Sequence, residues 1–139
     1  MHESFSALGV SAPIVRALQR RGIHAPFAVQ NLVLPDALGG VDVLAASPTG
    51  SGKTLAFGIP VVERVAGAQG RPAALILVPT RELASQVVEE LEPLAAACSL
   101  RIAAVYGGTS VGAQAKRARA AQILVATPGR LHDLIDRGL

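Results

Sequence analysis

Residues Ser47-Pro48-Thr49-Gly50-Ser51-Gly52-Lys53-Thr54 follow directly on the apolar run Val41-Asp42-Val43-Leu44-Ala45-Ala46. A strand that enters a glycine-rich turn and leaves it as a helix presents a nest of backbone N–H groups at the helix's positive end. Such a nest is a cradle for a polyphosphate. Gly50 and Gly52 allow backbone conformations and approach distances that a Cβ would block. Lys53 is placed to sit on the β- and γ-phosphates, and the Thr54 hydroxyl to ligate Mg²⁺. The full pattern has glycine where Ser47 stands, so the turn alone also reads as a surface loop before a helix. A dinucleotide fingerprint is rejected, because Leu55 occupies the place of its third glycine.

The rest of the chain supplies the setting this turn requires. Short β-type runs at Asp42–Ala46, Ala74–Val78, Arg101–Tyr106 and Gln122–Ala126 alternate with helical patterns at Lys53–Val65, Arg81–Ala97, Gly112–Ala120 and Pro128 to about Arg137. Over Arg81–Ala97, apolar Leu83, Val87, Leu91 and Leu94 recur at spacings of three and four, while Glu82, Glu89, Glu90 and Glu92 fill other faces. The β-type runs are too apolar for one-sided strands and suit a parallel sheet covered on both faces. The alternation predicts an α/β fold, a doubly wound parallel sheet. Two helices precede the first strand. One follows the N-cap Ser11 and ends at Gly22 as the C′ residue; the second starts near Phe27 and ends before Gly39-Gly40. The expected organisation is a helical extension over residues 1–38 and a partial nucleotide-binding domain over 39–139, one domain overall.

In a parallel α/β sheet, ligands gather at the carboxyl ends of the strands. All four loops expected there carry unusual residues: the phosphate turn, Pro79-Thr80-Arg81-Glu82-Leu83-Ala84, Gly107-Gly108-Thr109, and Thr127-Pro128-Gly129-Arg130. Thr80 and Thr127 sit at N-cap positions, and Pro128 suits the first turn of a helix. Each of these two helix starts bears an arginine, which the helix dipole disfavours at that end. A bound phosphate resolves the conflict. For either loop alone, plain capping with Arg81 and Arg130 paired to nearby carboxylates explains the residues as well. Together on one edge they suit a sugar-phosphate strand.

Composition narrows the class. The 139 residues suffice for one core, and with four aromatics that core is built from Val, Leu, Ile and Ala. No apolar run approaches the roughly 18 residues of a membrane span, and the start lacks the pattern of a signal peptide. Cys98 is the single cysteine, which excludes an internal disulfide and suits the cytoplasm. The net charge of +3 mildly favours a polyanionic partner, and only two of the thirteen basic residues are lysines, one of them Lys53. His2, His24 and His132 are scattered without ligand partners, and Lys116-Arg117-Ala118-Arg119 reads as a solvated face.

Taken in order, these segments resemble the DEAD-box ATP-dependent RNA helicases, in their N-terminal RecA-like domain. Gly22-Ile23-His24-Ala25-Pro26-Phe27-Ala28-Val29-Gln30 is similar to that family's Q motif, with Phe5 as the isolated upstream aromatic. Ser47–Thr54 resembles motif I, Pro79–Ala84 motif Ia, Gly107-Gly108 the GG motif and Thr127–Arg130 motif Ib. The resemblance implies ATP and Mg²⁺ as cofactors. Gln30 would read adenine, Phe5 would pack on its ring, and the Ser47–Gly52 backbone with Lys53 and Thr54 would serve the phosphates and the metal. It further implies that Pro79, Thr80, Arg81, Gly107, Gly108, Thr127, Pro128, Gly129 and Arg130 hold the backbone of one RNA strand. Departures from the pattern are Ile23 for an aromatic, Phe27 for threonine and Ser47 for alanine.

The family's Asp-Glu-Ala-Asp motif lies beyond Thr-Pro-Gly-Arg and is not found within these residues. Nor are the Ser-Ala-Thr motif and the second RecA-like domain, the expected partner within the parent protein. The expectation is therefore the ATP- and RNA-binding part of a helicase that, alone, neither hydrolyses ATP nor unwinds duplexes. A DNA-directed P-loop helicase or translocase and a non-hydrolysing nucleotide- or RNA-binding adaptor stand as alternatives.

Overall fold

The computed structural model describes residues 4–139, so His2 lies outside the described residues. In chain order the elements are α1 (Ala12–Arg20), α2 (Ala28–Leu38), α3 (Lys53–Val65), β1 (Ala74–Leu77), α4 (Arg81–Ala97), β2 (Ile102–Val105), α5 (Val111–Ala120), β3 (Ile123–Ala126) and α6 (Pro128–Asp136). The strands form one parallel sheet in the order β1-β3-β2, with Ala74 and Ile102 both level with Ile123.

Strand alternation divides the apolar side chains between two layers. On one face Ile76, Ile123 and Val125 join a main core with Leu55, Ile59 and Val62 of α3, Leu91 and Leu94 of α4, and Ile14 and Leu18 of α1. On the other face Ala103, Val105, Leu124 and Ala126 pack with Ala115 of α5 and Leu134 of α6. Helices on both faces of a parallel sheet are the doubly wound arrangement that the apolar strands predict.

Local chemistry explains the helix ends. Gly22 takes φ +76° after α1, and the Gly22 and Ile23 N–H groups donate to the Gln19 and Leu18 carbonyls, both at 2.9 Å. That is a Schellman stop, and it needs a residue tolerant of positive φ. Ser11 occupies the N-cap position but its hydroxyl caps nothing; its N–H donates to Glu63 Oε1 at 2.7 Å instead. The N-terminal helices do not stand apart, since α1 packs on α4 and α2 on α3.

One sequence expectation fails. Asp42–Ala46 forms no strand, and Val41 and Leu44 are 59% and 102% exposed. Its composition suits a strand, but a strand exists only when a neighbour takes up its backbone groups. No neighbour does so among the described residues, and β1 pairs with β3 alone. The other strands are a residue or two shorter than expected; Val78 and Gln122 keep backbone bonds to Ala126 and Arg101 just outside β1 and β3, while at β2 side chains take over both ends. The Arg101 N–H donates to Gln122 Oε1 at 2.8 Å and the Tyr106 N–H to Gln114 Oε1 at 3.1 Å.

Candidate functional site

The phosphate turn is built as its residues dictate. Gly50 and Gly52 have φ +82° and +88°, the Ser51 N–H closes on the Pro48 carbonyl at 3.2 Å, and the Ser47 and Ser51 hydroxyls meet at 2.6 Å. Gly52 is the N-cap of α3, so Lys53 and Thr54 begin the helix and its free N–H groups face the turn. Lys53 is exposed and pairs with no carboxylate among the described residues. A positive helix end with an unpaired ammonium beside it suits a polyphosphate.

Gln30 reaches this turn from α2. It is 2% exposed; its Nε2 donates to the Gly52 carbonyl at 3.0 Å and its Oε1 accepts from the Phe27 N–H at 2.9 Å. A Cβ on Gly52 would lie 2.5 Å from Gln30 Nε2 and 2.7 Å from Phe27 Cδ2, so glycine is required by contact as well as by φ. Phe27 leaves its ring 59% exposed beside the turn. Phe5, by contrast, is 2% exposed and belongs to the main core with Leu8, Val10, Ile14 and Leu18, and Ile23 packs against the same core. A hollow of about 830 Å³ is lined by Thr49, Gly50, Gly52, Lys53 and Thr54 of the turn, by Phe27 and Phe57, and by Ile76–Pro79 with Leu83.

Parallel register brings the remaining loops to the same edge of the sheet, at the carboxyl ends of β1, β2 and β3. Thr80 caps α4, its Oγ1 accepting from the Leu83 N–H at 3.1 Å. Arg81 lies within 3.6 Å of Glu82, with both side chains largely in solvent, and its Nη1 is 2.9 Å from where a Cβ on Gly108 would stand. Thr127 takes the N-cap position of α6, but its hydroxyl makes no cap hydrogen bond. Gly107 and Gly129 have open space where a side chain would be.

Arg130 behaves differently from Arg81. Its side chain is 9% exposed and turned inward; Nη1 donates to Gln114 Oε1 at 2.8 Å and Nη2 to the Thr109 carbonyl at 3.2 Å. Asp133 lies 3.9 Å from its Nε. Gln114, itself 2% exposed, escapes a motif reading of the sequence. Its signal is positional: it stands on the apolar stripe of α5 with Val111, Ala115 and Ala118, where a polar residue needs a buried partner.

No helix among the described residues is long and apolar enough to cross a membrane. Residues 27–139 match the family model described as DEAD/DEAH box helicase. The chain is 40% identical to the DEAD-box ATP-dependent RNA helicase 52A of Oryza sativa subsp. japonica, over 97% of this chain and 25% of that protein. It is 41% identical to the pre-mRNA-processing ATP-dependent RNA helicase prp-5 of Neurospora crassa, over 96% of this chain and 12% of that protein. The chain thus spans a quarter or less of these relatives. Among solved structures it resembles a DEAD box protein from the hyperthermophile Methanococcus jannaschii, with TM-score 0.90 and 41% identity over 99% of this chain and 38% of that one. It also resembles the RNA-helicase Prp28 from Chaetomium thermophilum bound to ADP, with TM-score 0.88 and 34% identity over 97% of this chain and 34% of that one.

Proposed function

The chain belongs to the DEAD/DEAH box helicase family, and from that premise we propose that it is the part of an ATP-dependent RNA helicase that binds ATP and the backbone of one RNA strand. The observation that carries the reading is Gln30, a buried amide anchored on Gly52 at the mouth of the phosphate turn. An amide presents one donor and one acceptor in a plane, the complement of adenine N7 and N6. Gly52 and Phe27 take one N–H and one oxygen lone pair of this amide, which fixes its plane and leaves its second N–H and second lone pair for adenine.

The turn's N–H groups and Lys53 would then hold the phosphates. Magnesium, when bound at the Thr54 hydroxyl, would neutralise charge between phosphate oxygens. The residues fit this role, since the turn is glycine-lined, its lysine pairs with no carboxylate among the described residues and a broad hollow adjoins it. The ADP named with Prp28 supports nucleotide binding at a site of this fold.

Pro79, Thr80, Arg81, Gly107, Gly108, Thr127, Pro128 and Gly129 would meet the sugar-phosphate strand. The backbone N–H groups of Thr80, Gly107, Gly108 and Gly129, the Thr127 hydroxyl and the Arg81 guanidinium would provide positioning contacts with little base reading. Hydrolysis needs acids that orient metal and water. The hollow beside the turn is lined by one acidic residue, Glu90 of α4, while Asp133 and Asp136 lie on α6 near Arg137 and His132. The 139 residues alone are therefore expected to bind nucleotide without turning it over. The second RecA-like domain of the parent protein would close over both ligands and couple their binding.

The test is fluorescent-nucleotide binding by this chain, adenine against guanine, with Gln30→Ala alongside. Adenine preference in the wild type and its loss in the variant are expected. Equal affinity for both bases in the wild type would sink the reading. RNA-stimulated phosphate release by the purified chain would overturn the expected inactivity.

A further inference from the structure

The chain carries two arginines at the strand ends, and only one of them is available to a ligand. Arg81 is half in solvent, with a 59% exposed side chain, whereas Arg130 is 9% exposed and both terminal nitrogens are engaged within the protein. Its partners join three loops or elements. Gln114 lies on α5, the Thr109 carbonyl follows Gly107-Gly108, and Arg130 itself opens α6 after Thr127. The same Gln114 oxygen accepts the Tyr106 N–H, the last residue before that glycine pair. One buried amide oxygen therefore takes donors from the end of β2 and from the guanidinium, and the guanidinium passes on to Thr109.

We propose that Gln114 and Arg130 form an internal brace that fixes the Gly107–Thr109 loop against the Thr127–Arg130 turn, with Gln114 the positioning residue and Arg130 acting on RNA through the loops rather than as a phosphate contact. The inference rests on the RNA-backbone reading above. The loop it holds contains Gly107 with nothing packed over it and Gly108 at φ +85° beside Arg81 Nη1, and its own side-chain hydrogen bond, from Thr109 Oγ1 to the Tyr106 carbonyl, is long at 3.5 Å. A loop that must present N–H groups to phosphates binds more tightly when its geometry is set beforehand. Moving Arg130 out to a phosphate would leave the Gln114 oxygen with one donor and the Thr109 carbonyl without its guanidinium, at a cost that a single exposed phosphate contact does not clearly offset.

The two roles separate in a double-mutant cycle on the full chain, with Gln114→Met, Arg130→Met, the pair together and Gln114→Glu. Binding of a fluorescein-labelled single-stranded oligouridylate is measured across a salt series. Amide hydrogen exchange at residues 106–110 is followed without RNA. For the brace, each Met variant is expected to lose roughly tenfold in affinity and to speed exchange at 106–110. The double variant is expected to be no worse than the weaker single. Gln114→Glu, whose carboxylate accepts the same two donors, should remain within about twofold of the wild type. The salt slope should stay unchanged throughout.

The proposal is overturned if Gln114→Met binds RNA as the wild type does while Arg130→Met weakens binding and lowers the slope by about 0.7, the signature of one lost single-strand phosphate contact. It is equally overturned if Gln114→Glu fails as Arg130→Met does, which also covers the case of a Met variant that does not fold. A wild type that binds no RNA refutes the RNA reading, and the exchange rates at 106–110 then decide the brace alone.

Discussion

Leu91 of α4 fills the space that a side chain on Gly58 of α3 would occupy: a Cβ there would lie 2.9 Å from Leu91 Cδ1 and nearer still to Cδ2. Leu91 is fully buried, so it has no solvent side to move toward. Gly58→Ala improves helix propensity by about 1 kcal/mol, yet overpacking a filled core costs about 1–3 kcal/mol. The expected outcome is a net loss of stability of up to about 2 kcal/mol. Leu91→Ala alone should cost about 2–5 kcal/mol, and the double variant should cost less than the sum of the two. Thermal or urea melts of the cycle check this; strict additivity would show that the two side chains do not compete for one space.

Phe27 occupies the N-cap position of α2 without an acceptor. Only half of a capping box is present, with Gln30 Oε1 accepting the Phe27 N–H while the helix's own leading N–H groups receive no side chain from Phe27. Phe27→Thr supplies the missing hydroxyl and removes a largely exposed ring. Stability should rise by about 0.5–2 kcal/mol, the usual worth of a cap. An unchanged or lowered melting temperature would show that the ring, resting near Gly52, contributes more than the cap.

Much of this arrangement is legible in the residues because it is set locally. Gly22 ends α1, Thr80 caps α4 and the apolar spacing over Arg81–Ala97 marks a helix, all from interactions within a few positions. The strand expected at Asp42–Ala46 was not legible, because strand character depends on a partner elsewhere and Leu44 meets none. The brace was hidden for a similar reason. Arg130 at a helix start suggests a bound phosphate, until folding brings Gln114, sixteen residues away, to within 2.8 Å of it. Phe5 shows the same limit, since an isolated aromatic in the sequence carries no sign that Ile14 and Leu18 will enclose it.

Cys98 follows α4, and its thiol is pushed above its ordinary value by burial first and by the Glu63 carboxylate second. Both favour the neutral form. With the folded value above the unfolded one, the associated stability is complete below the unfolded value and is lost as pH rises through the folded value. Only the thiolate is nucleophilic. Alkylation by iodoacetamide near pH 8 should therefore be slower in the native chain than in denaturant. Glu63→Gln should quicken the native rate modestly, because burial remains. Equal native and denatured rates would remove the argument.

Gly52 is held by geometry from two directions. At φ +88° an alanine pays the left-handed penalty of about 1–2 kcal/mol. Its Cβ would also press on Gln30 Nε2, forcing the amide from the Gly52 carbonyl. Backbone strain alone lowers stability and leaves base preference intact. Displacement of Gln30 removes the group expected to distinguish adenine. Gly52→Ala should therefore lose both stability and adenine preference, whereas Gly50→Ala, which has a similar φ of +82° but open space at its Cβ, should lose stability with smaller change in preference. Comparing adenine-to-guanine affinity ratios for the two variants, alongside their melting temperatures, decides the matter. If both variants lose selectivity equally, the Gln30 contact is not what sets it and the shape of the turn is.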